Sequence, residues 1–248
     1  MRARSRRPFS SVLKRERSSI SRLLLVIAAT LIAILALWPL MTLVAEVAGS
    51  LQQGASGLHA DGAVLIQGTI QLLLGTAVLG TLLGSTNGWL LSNCRFPGRR
   101  WLRIAQLIPL ATPAYLLSAT LVDLSSRQGW HVHGMGWGVV VMALTTYPYV
   151  FLLSTESFSM SSRGQLEACR SLGVGPWASF RRVALPIAAP AIGAGVALMG
   201  METINELGAV QLLGIPSLSA GILETWQTEG NPSGAIGLAL ITLAIVLA

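Results

Sequence analysis

Long uncharged stretches dominate the chain, and short charged segments separate them. The uncharged runs cover residues 23–45, 62–94, 104–122, 134–155, 183–201 and 231–248. A helix of about 20 apolar residues crosses the hydrocarbon core of a bilayer, and most of these runs reach that length. The pattern therefore predicts an all-α membrane protein with six transmembrane helices.

The uncharged runs also set the expected span boundaries. We place the spans at residues 23–43, 64–91, 102–122, 137–158 and 187–201, and from residue 233 to the end of the sequence. Residues 1–22 form a basic tail, residues 23–45 the first transmembrane helix, and residues 64–248 one domain with the other five spans. The last span reaches only about 23 Å at 1.5 Å per residue, short of a ~30 Å core. Either the natural chain continues or this helix is cut.

Charge is scarce and unevenly placed. Charged residues make up 11% of the chain, and the net charge is +7. The cations lie before the first span, after the second, and at positions 163–182, with Arg127 as the exception. The positive-inside rule then puts the N-terminus and the even-numbered connections in the cytoplasm. Because orientation explains the basic balance, we expect the bilayer and no nucleic acid as a partner. Cys94 and Cys169 fall on the reducing side, where we expect neither a disulfide nor a metal site.

Two features inside the spans predict close helix contacts. Gly80, Gly84 and Gly88 recur at four-residue spacing in the second span, which is typical of a face where another helix approaches closely. The alternative is coincidence in a chain with 26 glycines. Pro109 and Pro113 interrupt the third span, and the backbone groups they leave unpaired predict a kink that faces protein or a cavity.

Residues 162–186, here called the signature segment, are polar and lie between two apolar spans. Ser162 with Gln165 has the spacing of a capping box, Gly173 is placed to end a helix, and Pro176 suits the first turn of another. The segment thus predicts two short helices with a break, the second having Trp177, Phe180 and Val183 on its apolar side. Such a pair could lie in the lipid interface, join two spans, or dock a soluble partner.

The signature segment resembles the cytoplasmic signature of ABC importer permeases: Glu-Ala-Ala, three residues, Gly, nine residues, Ile-x-Leu-Pro. The matching positions are Glu167, Ala168, Cys169, Gly173, Val183, Leu185 and Pro186. Cys169 and Val183 depart from the pattern, both as small apolar replacements. The stretches FPGRR, IPLATPAYLL, YPYVFLLS and METINELGAVQLLGIPSLSAGILETW are also similar to iron(III)-type permeases. The resemblance covers about residues 67–248.

The resemblance implies a type I ABC importer permease fold with a cytoplasmic N-terminus, in the bacterial inner membrane. It makes residues 64–248 the permease domain and the signature segment a coupling helix. The implied partners are a cytoplasmic ABC ATPase dimer, a periplasmic solute-binding protein, and a second permease half. That half would be the same chain continued or another copy.

The chain is not expected to be an enzyme. It lacks the G-x-x-x-x-G-K-[ST] phosphate loop, and its one lysine, Lys14, lies in the tail. ATP hydrolysis is therefore expected in a partner subunit, and we expect no catalytic residues and no cofactor here.

Glu202 and Glu206 are the candidate pathway or gate residues. Four residues apart, they are predicted to share one helix face, and acids at membrane depth usually face protein or water. Two carboxylates would suit a hard cation such as ferric iron; the alternative is that they hydrogen-bond to neighbouring helices. His131 and His133 are expected in an outer loop without forming a metal site. Asp123 with Arg127 is expected there as a loop ion pair or a contact for the binding protein.

The favoured function is the translocation path of an ATP-driven importer for ferric iron. Polyamine, thiamine or another small solute is the alternative within transport. A non-transport membrane protein that docks a cytoplasmic regulator through residues 162–186 is the alternative from another class. A secondary transporter would make the signature accidental.

Overall fold

All regular secondary structure is helical in the part described by the computed structural model, residues 10–52 and 62–247. The helices are α1 (Ser10–Gln52), α2 (Gly62–Asn93), α3 (Arg99–Ala105), α4 (Ala114–Gln128), α5 (Met135–Ser171), α6 (Pro176–Ser179), α7 (Leu185–Asn205), α8 (Gly208–Leu212), α9 (Leu218–Gln227) and α10 (Pro232–Leu247). A 3₁₀ turn over Ile108–Ala111 precedes α4, and a π-helical turn over Phe180–Ala184 precedes α7.

The chain divides into two compact units, Met1–Ser56 and Gly57–Ala248. The first contains α1, whose window Arg22–Pro39 is long and apolar enough to cross a bilayer. This window lies across the predicted first span. The second unit contains α2 to α10 and carries every feature discussed below.

Four helical stretches within the described residues could cross a membrane, or five if a bent pair counts as one span. They are Arg22–Pro39, Gly62–Asn93, Met135–Ser159 and Trp177–Asn205, with Arg99–Ala111 and Ala114–Gln128 forming the bent pair. The apolar helix α10 is shorter. The all-helical prediction is confirmed, whereas six spans and their topology stay a prediction.

Helix α5 is the centre of the second unit, with α2 and α7 packed against it. Half of the residues in the most apolar part of Met135–Ser159 are buried (50%), against 28% in that of Gly62–Asn93 and 22% in that of Trp177–Asn205. The side chain of Val150 on α5 is 0% exposed. A Cβ built on Gly84 of α2 would lie 2.7 Å from the Val150 Cβ, and one on Gly195 of α7 would lie 2.7 Å from the Val150 Cα. Two glycines therefore hold the backbones close on both sides of one residue.

The predicted small-residue face of the second span is confirmed. Gly80, Gly84 and Gly88 are all buried on α2. A Cβ on Gly88 would meet Ser154 and Thr155 of α5, and one on Gly80 would meet the sulfur of Met199 on α7. In a bilayer the hydrophobic effect does not drive helices together, because lipid chains are as apolar as the side chains. Close packing at small residues therefore supplies much of the attraction between helices.

The third span is sharply broken rather than kinked, which corrects the prediction of one helix over residues 102–122. The stretches Arg99–Ala111 and Ala114–Gln128 meet at 88°. Pro113 restricts the residue before it, and Thr112 is accordingly extended with φ −102° and ψ 112°. The Tyr147 hydroxyl of α5 hydrogen-bonds the Gln106 side-chain oxygen just before the break. Helix α4 also extends further than predicted, so Asp123 and Arg127, which were expected in the following loop, are helical.

The segment after α7 folds back into the core through α8 and α9. Val210, Leu213 and Ile215 are buried in one cluster with Leu72 of α2 and Met142 of α5. The buried Thr69 hydroxyl on α2 accepts a hydrogen bond from the Leu218 N–H at 2.9 Å, at the start of α9. This part of the chain is therefore fixed to the ends of the spans.

Candidate functional site

The signature segment begins as a continuation of the fourth span. Helix α5 runs without a break from Met135 to Ser171, so Ser162 lies inside a helix and does not start one, contrary to prediction. The apolar part ends at Ser159. At 1.5 Å per residue the helix then projects about 18 Å further, beyond what a bilayer core requires. Glu167 lies on this projection, and its side chain is outside the described residues.

Gly173 turns the chain at the tip of the projection, as predicted. Its φ is +73°, in the left-handed region that glycine adopts without strain. The Val174 N–H donates to the Cys169 carbonyl at 2.9 Å, which is the long-range bond of a Schellman C-cap. Helix α6 then begins at Pro176, so the helix–break–helix arrangement is confirmed although the first helix is not separate.

The tip of the signature segment presents apolar side chains to its surroundings. Leu172 is 80% exposed and Trp177 is 71% exposed. Ala168, Gly173, Arg181 and Arg182 are also exposed, whereas Cys169 is half-buried. A large exposed apolar pair at the end of a long projection is typical of a contact surface.

An aromatic cluster fixes the second half of the signature segment to the spans. The ring centroid of Phe180 lies 4.8 Å from that of Trp89 on α2. Trp89 lies 5.3 Å from Phe158 on α5 in an edge-to-face arrangement, and Phe158 is 1% exposed. Trp177 stacks on Phe180 at 5.5 Å. Such pairs contribute about 0.5–1.5 kcal/mol each beyond area burial. Sequence analysis identified Trp177 and Phe180 but missed Trp89 and Phe158, which belong to other spans.

The remaining signature positions join α6 to α7. The π-helical turn ends at Ala184, which is buried, and α7 begins at Leu185 with Pro186 in its first turn. Val183 and Leu185 are half-buried, and Pro186 is exposed. A π turn inside a helix often marks a functional position, and the backbone here remains helical from Pro176 to Asn205.

A cavity of about 280 Å³ lies where the broken third span meets α5 and α7. We call it the glutamate cavity. It is lined by Pro109, Leu110, Ala111, Thr112, Pro113, Ala114, Thr145, Thr146, Tyr149, Glu202 and Glu206. Among the residues that the structure describes, the lining contains two carboxylates and no cationic side chain, and it includes the two prolines for which a cavity was predicted.

The glutamate cavity offers oxygen acceptors. The Thr145 hydroxyl donates to the Val141 carbonyl at 3.0 Å, and the Thr146 hydroxyl donates to the Met142 carbonyl at 2.5 Å. Because each hydroxyl hydrogen is used within α5, only oxygen lone pairs remain to meet another group. Carboxylate and hydroxyl oxygens are ligands that hard cations prefer.

The two glutamates line one cavity but do not share one helix face. Helix α7 ends at Asn205, and Glu206 is extended with ψ 120°, which corrects the prediction. A Glu206 carboxylate oxygen accepts a hydrogen bond from the Ala209 N–H at 2.9 Å, so this side chain caps α8. Glu202 is the more exposed of the two and remains on α7. Glu206 therefore has a structural hydrogen bond to a neighbouring helix, as the alternative interpretation predicted. Glu202 is the better candidate for contact with a solute.

The other sequence candidates lie on α4 and between α4 and α5. His131 and His133 are exposed between α4 and α5, and no group of three or more metal-ligating side chains occurs in residues 10–52 and 62–247. Asp123 and Arg127 pair at 2.9 Å on α4, so the pair lies on a helix and not in a loop.

Comparisons with known proteins give a consistent result. The family profile described as "Binding-protein-dependent transport system inner membrane component" matches residues 8–248. The chain is similar to an Fe(3+)-transport system permease protein of Haemophilus influenzae, with 27% identity over 75% of this chain and 36% of that protein. It is similar to the sulfate transport system permease protein of Escherichia coli, with 31% identity over 62% of this chain and 57% of the relative. The molybdenum transport system permease protein of Escherichia coli is 28% identical over 64% of this chain and 77% of its own length. The chain thus spans about a third to just over half of the first two relatives.

Proposed function

The chain belongs to the family of binding-protein-dependent transport system inner membrane components, and we propose that it forms half of the solute path of an ATP-driven importer. It is an inner-membrane transport subunit and not an enzyme. ATP hydrolysis takes place in a cytoplasmic ATPase dimer, and a periplasmic binding protein delivers the solute. A second permease half, from the same polypeptide or another copy, completes the path.

The single observation that carries the transport mechanism is the projecting tip of the signature segment. Leu172 and Trp177 are exposed there, while Phe180 is clamped by aromatic rings of two spans. A surface that is free at its tip and fixed at its base suits transmission of a partner's movement to the spans. We propose that Leu172, Gly173 and Trp177 contact the ATPase together with the predicted positions Glu167, Ala168 and Cys169. Val183, Leu185 and Pro186 carry the movement into α7.

Co-purification with candidate ATPases tests this contact. Trp177→Ala should weaken ATPase binding, because buried tryptophans often dominate the energetics of protein interfaces. Trp226→Ala is the matched control, since Trp226 is 64% exposed on α9, away from the signature segment. Gly173→Trp should abolish binding by changing the tip itself. Equal ATPase recovery with all three variants would refute docking through the signature segment.

For the solute we propose ferric iron, on the basis of the glutamate cavity. Its described lining has two carboxylates and no cation, and such a lining attracts a hard cation and repels a dianion. The similarity to an Fe(3+)-transport permease points the same way. Glu202 supplies the solute-facing charge along the path or at its gate. Glu206 holds the cavity wall in place through α8.

Oxyanion transport is the second candidate, because relatives named for sulfate and molybdenum transport match the chain at similar identity. Uptake of radiolabelled ferric iron, sulfate and molybdate separates the two. Glu202→Gln should reduce iron uptake, and Glu224→Gln, on an exposed position of α9, should not. If Glu202→Gln leaves iron uptake intact, or if only sulfate or molybdate is transported, the iron proposal is wrong.

A further inference from the structure

A strongly basic turn follows the second span and belongs neither to the signature segment nor to the glutamate cavity. This basic turn, residues 94–105, contains Arg95, Arg99, Arg100 and Arg103. Gly98, with φ +82°, turns the chain into α3. Arg95, Arg100 and Arg103 are exposed. The turn therefore places three exposed guanidinium groups within nine residues of one another.

The basic turn has no acidic residue near it in the sequence. The sequence has no acidic residue from position 62 to position 122. Within the described residues, the ion pair found for an arginine is that of Arg127 with Asp123, on α4. Arg99 has a different role, because its guanidinium donates to the Ser92 carbonyl at 3.1 Å and so caps the C-terminal end of α2. The other three guanidinium groups are available to an external anion.

Apolar side chains accompany these charges. Trp101 is 77% exposed, and Leu102 and Ile104 are 44% and 53% exposed. Helix α3 has no buried residue. Arginine and tryptophan side by side at the end of an apolar span are typical of the headgroup region of a bilayer.

The geometry places the basic turn at a membrane surface. It follows α2 directly, and Trp89, one turn before the end of α2, contacts the signature segment through Phe180. The basic turn and the signature segment therefore lie at the same end of α2. That end is where the apolar part of α5 finishes and its polar projection begins.

We propose that the basic turn binds the headgroups of anionic phospholipids. The lipid phosphate supplies the negative counter-charge for the guanidinium groups of Arg95, Arg100 and Arg103. The ring of Trp101 inserts between the headgroup and the acyl chain. A second copy of the chain fits less well, because a two-fold interface would oppose like charges. The inference concerns neither the solute nor the ATPase, so it does not depend on the proposed function.

Fluorescence quenching by brominated lipids tests the proposal with the full chain in nanodiscs. Brominated phosphatidylglycerol and brominated phosphatidylcholine are compared at equal mole fraction in otherwise neutral lipid. We expect the anionic lipid to quench the fluorescence more than the neutral lipid does. Trp101→Phe should abolish this difference, which assigns the difference to Trp101 among the seven tryptophans. Raising the salt concentration should reduce the excess, since the Debye length falls from about 10 Å at 0.1 M to about 3 Å at 1 M.

Arginine variants identify the charges that matter. The triple variant Arg95→Gln, Arg100→Gln, Arg103→Gln leaves the cap by Arg99 intact and should lower the apparent affinity for phosphatidylglycerol on the order of a hundredfold. The corresponding triple lysine variant should retain most of that affinity. Arg127→Gln is the control, because Arg127 is exposed at another place on the chain.

Four results would overturn the proposal. The first is equal quenching by both lipids in the unmodified chain. The second is an anionic excess that survives both Trp101→Phe and the triple glutamine variant. The third is displacement of phosphatidylglycerol by millimolar inorganic phosphate, which would indicate a free-anion site. Loss of ATPase or permease association in the triple variant, with lipid binding unchanged, would assign the surface to a protein partner and would equally refute it.

Discussion

Replacing Gly84 by alanine should force α2 and α5 apart. The new Cβ would lie 2.7 Å from the Val150 Cβ, 2.8 Å from the Tyr147 carbonyl oxygen and 2.9 Å from the Phe151 nitrogen. Two of these three atoms are backbone, so no side-chain rotation relieves the overlap. Carbon atoms pack best at about 3.5–4.0 Å, so the helices must separate by about 1 Å at this point.

The cost follows from that separation. A gap of about 0.5–1 Å forfeits a quarter to a half of each dispersion contact, and overpacking a well-packed core typically costs about 1–3 kcal/mol. Alanine also improves helix propensity over glycine by about 1 kcal/mol, which partly hides the effect. Gly193→Ala provides the correction, because Gly193 is a helical residue of α7 and an added Cβ there would have no neighbouring atom within 4 Å. The difference between the two variants is therefore the packing cost alone.

Reversible unfolding in mixed micelles, followed by far-ultraviolet circular dichroism, measures this difference. We expect Gly84→Ala to be less stable than Gly193→Ala by about 1–3 kcal/mol in free energy of unfolding. If the two variants have equal stability, the contact between α2 and α5 is not as close as described, and the small-residue explanation of the interface is wrong.

Three further substitutions test local features. Gly173→Ala forces alanine to φ +73°, at a cost of about 1–2 kcal/mol, and should weaken ATPase co-purification; undiminished recovery would contradict this. Thr69→Val leaves the buried Leu218 N–H without its acceptor and should lower the free energy of unfolding by about 1–3 kcal/mol, whereas Thr69→Ser should be close to neutral. Glu206→Ala removes the acceptor of the Ala209 N–H and should cost about 0.5–2 kcal/mol, whereas Glu206→Gln should retain most of the stability; identical denaturation curves for both would argue against the cap.

Local chemistry made part of the fold predictable. The four-residue spacing of Gly80, Gly84 and Gly88 places them on one helix face whatever the surroundings, and the structure confirms that face as a contact. Gly173 and Pro176 made the turn in the signature segment predictable, because each has a backbone preference that needs no distant partner. The spacing of the signature residues indicated the family because it, too, is a local pattern in the sequence.

Features that depend on distant parts of the chain were not predictable. Ser162 and Gln165 form an acceptable helix start, but α5 simply continues through them, since a capping pattern permits a start without requiring one. The prolines of the third span predicted a kink, but they do not by themselves specify its angle of 88°. The cluster of Trp89, Phe158 and Phe180 joins three segments far apart in sequence, so no local pattern revealed it.

The helix that continues from the π turn to Asn205, with Pro190 inside it, connects two distant places on the chain. Phe180 and Glu202 are separated by about 33 Å at 1.5 Å per residue, so a tilt of about 10° at one end displaces the other by on the order of 5 Å. By thermodynamic reciprocity, a solute that restrains Glu202 through this helix must also shift the position of the signature segment. The proposed solute site at Glu202 and the proposed ATPase contact would then be coupled through one continuous helix.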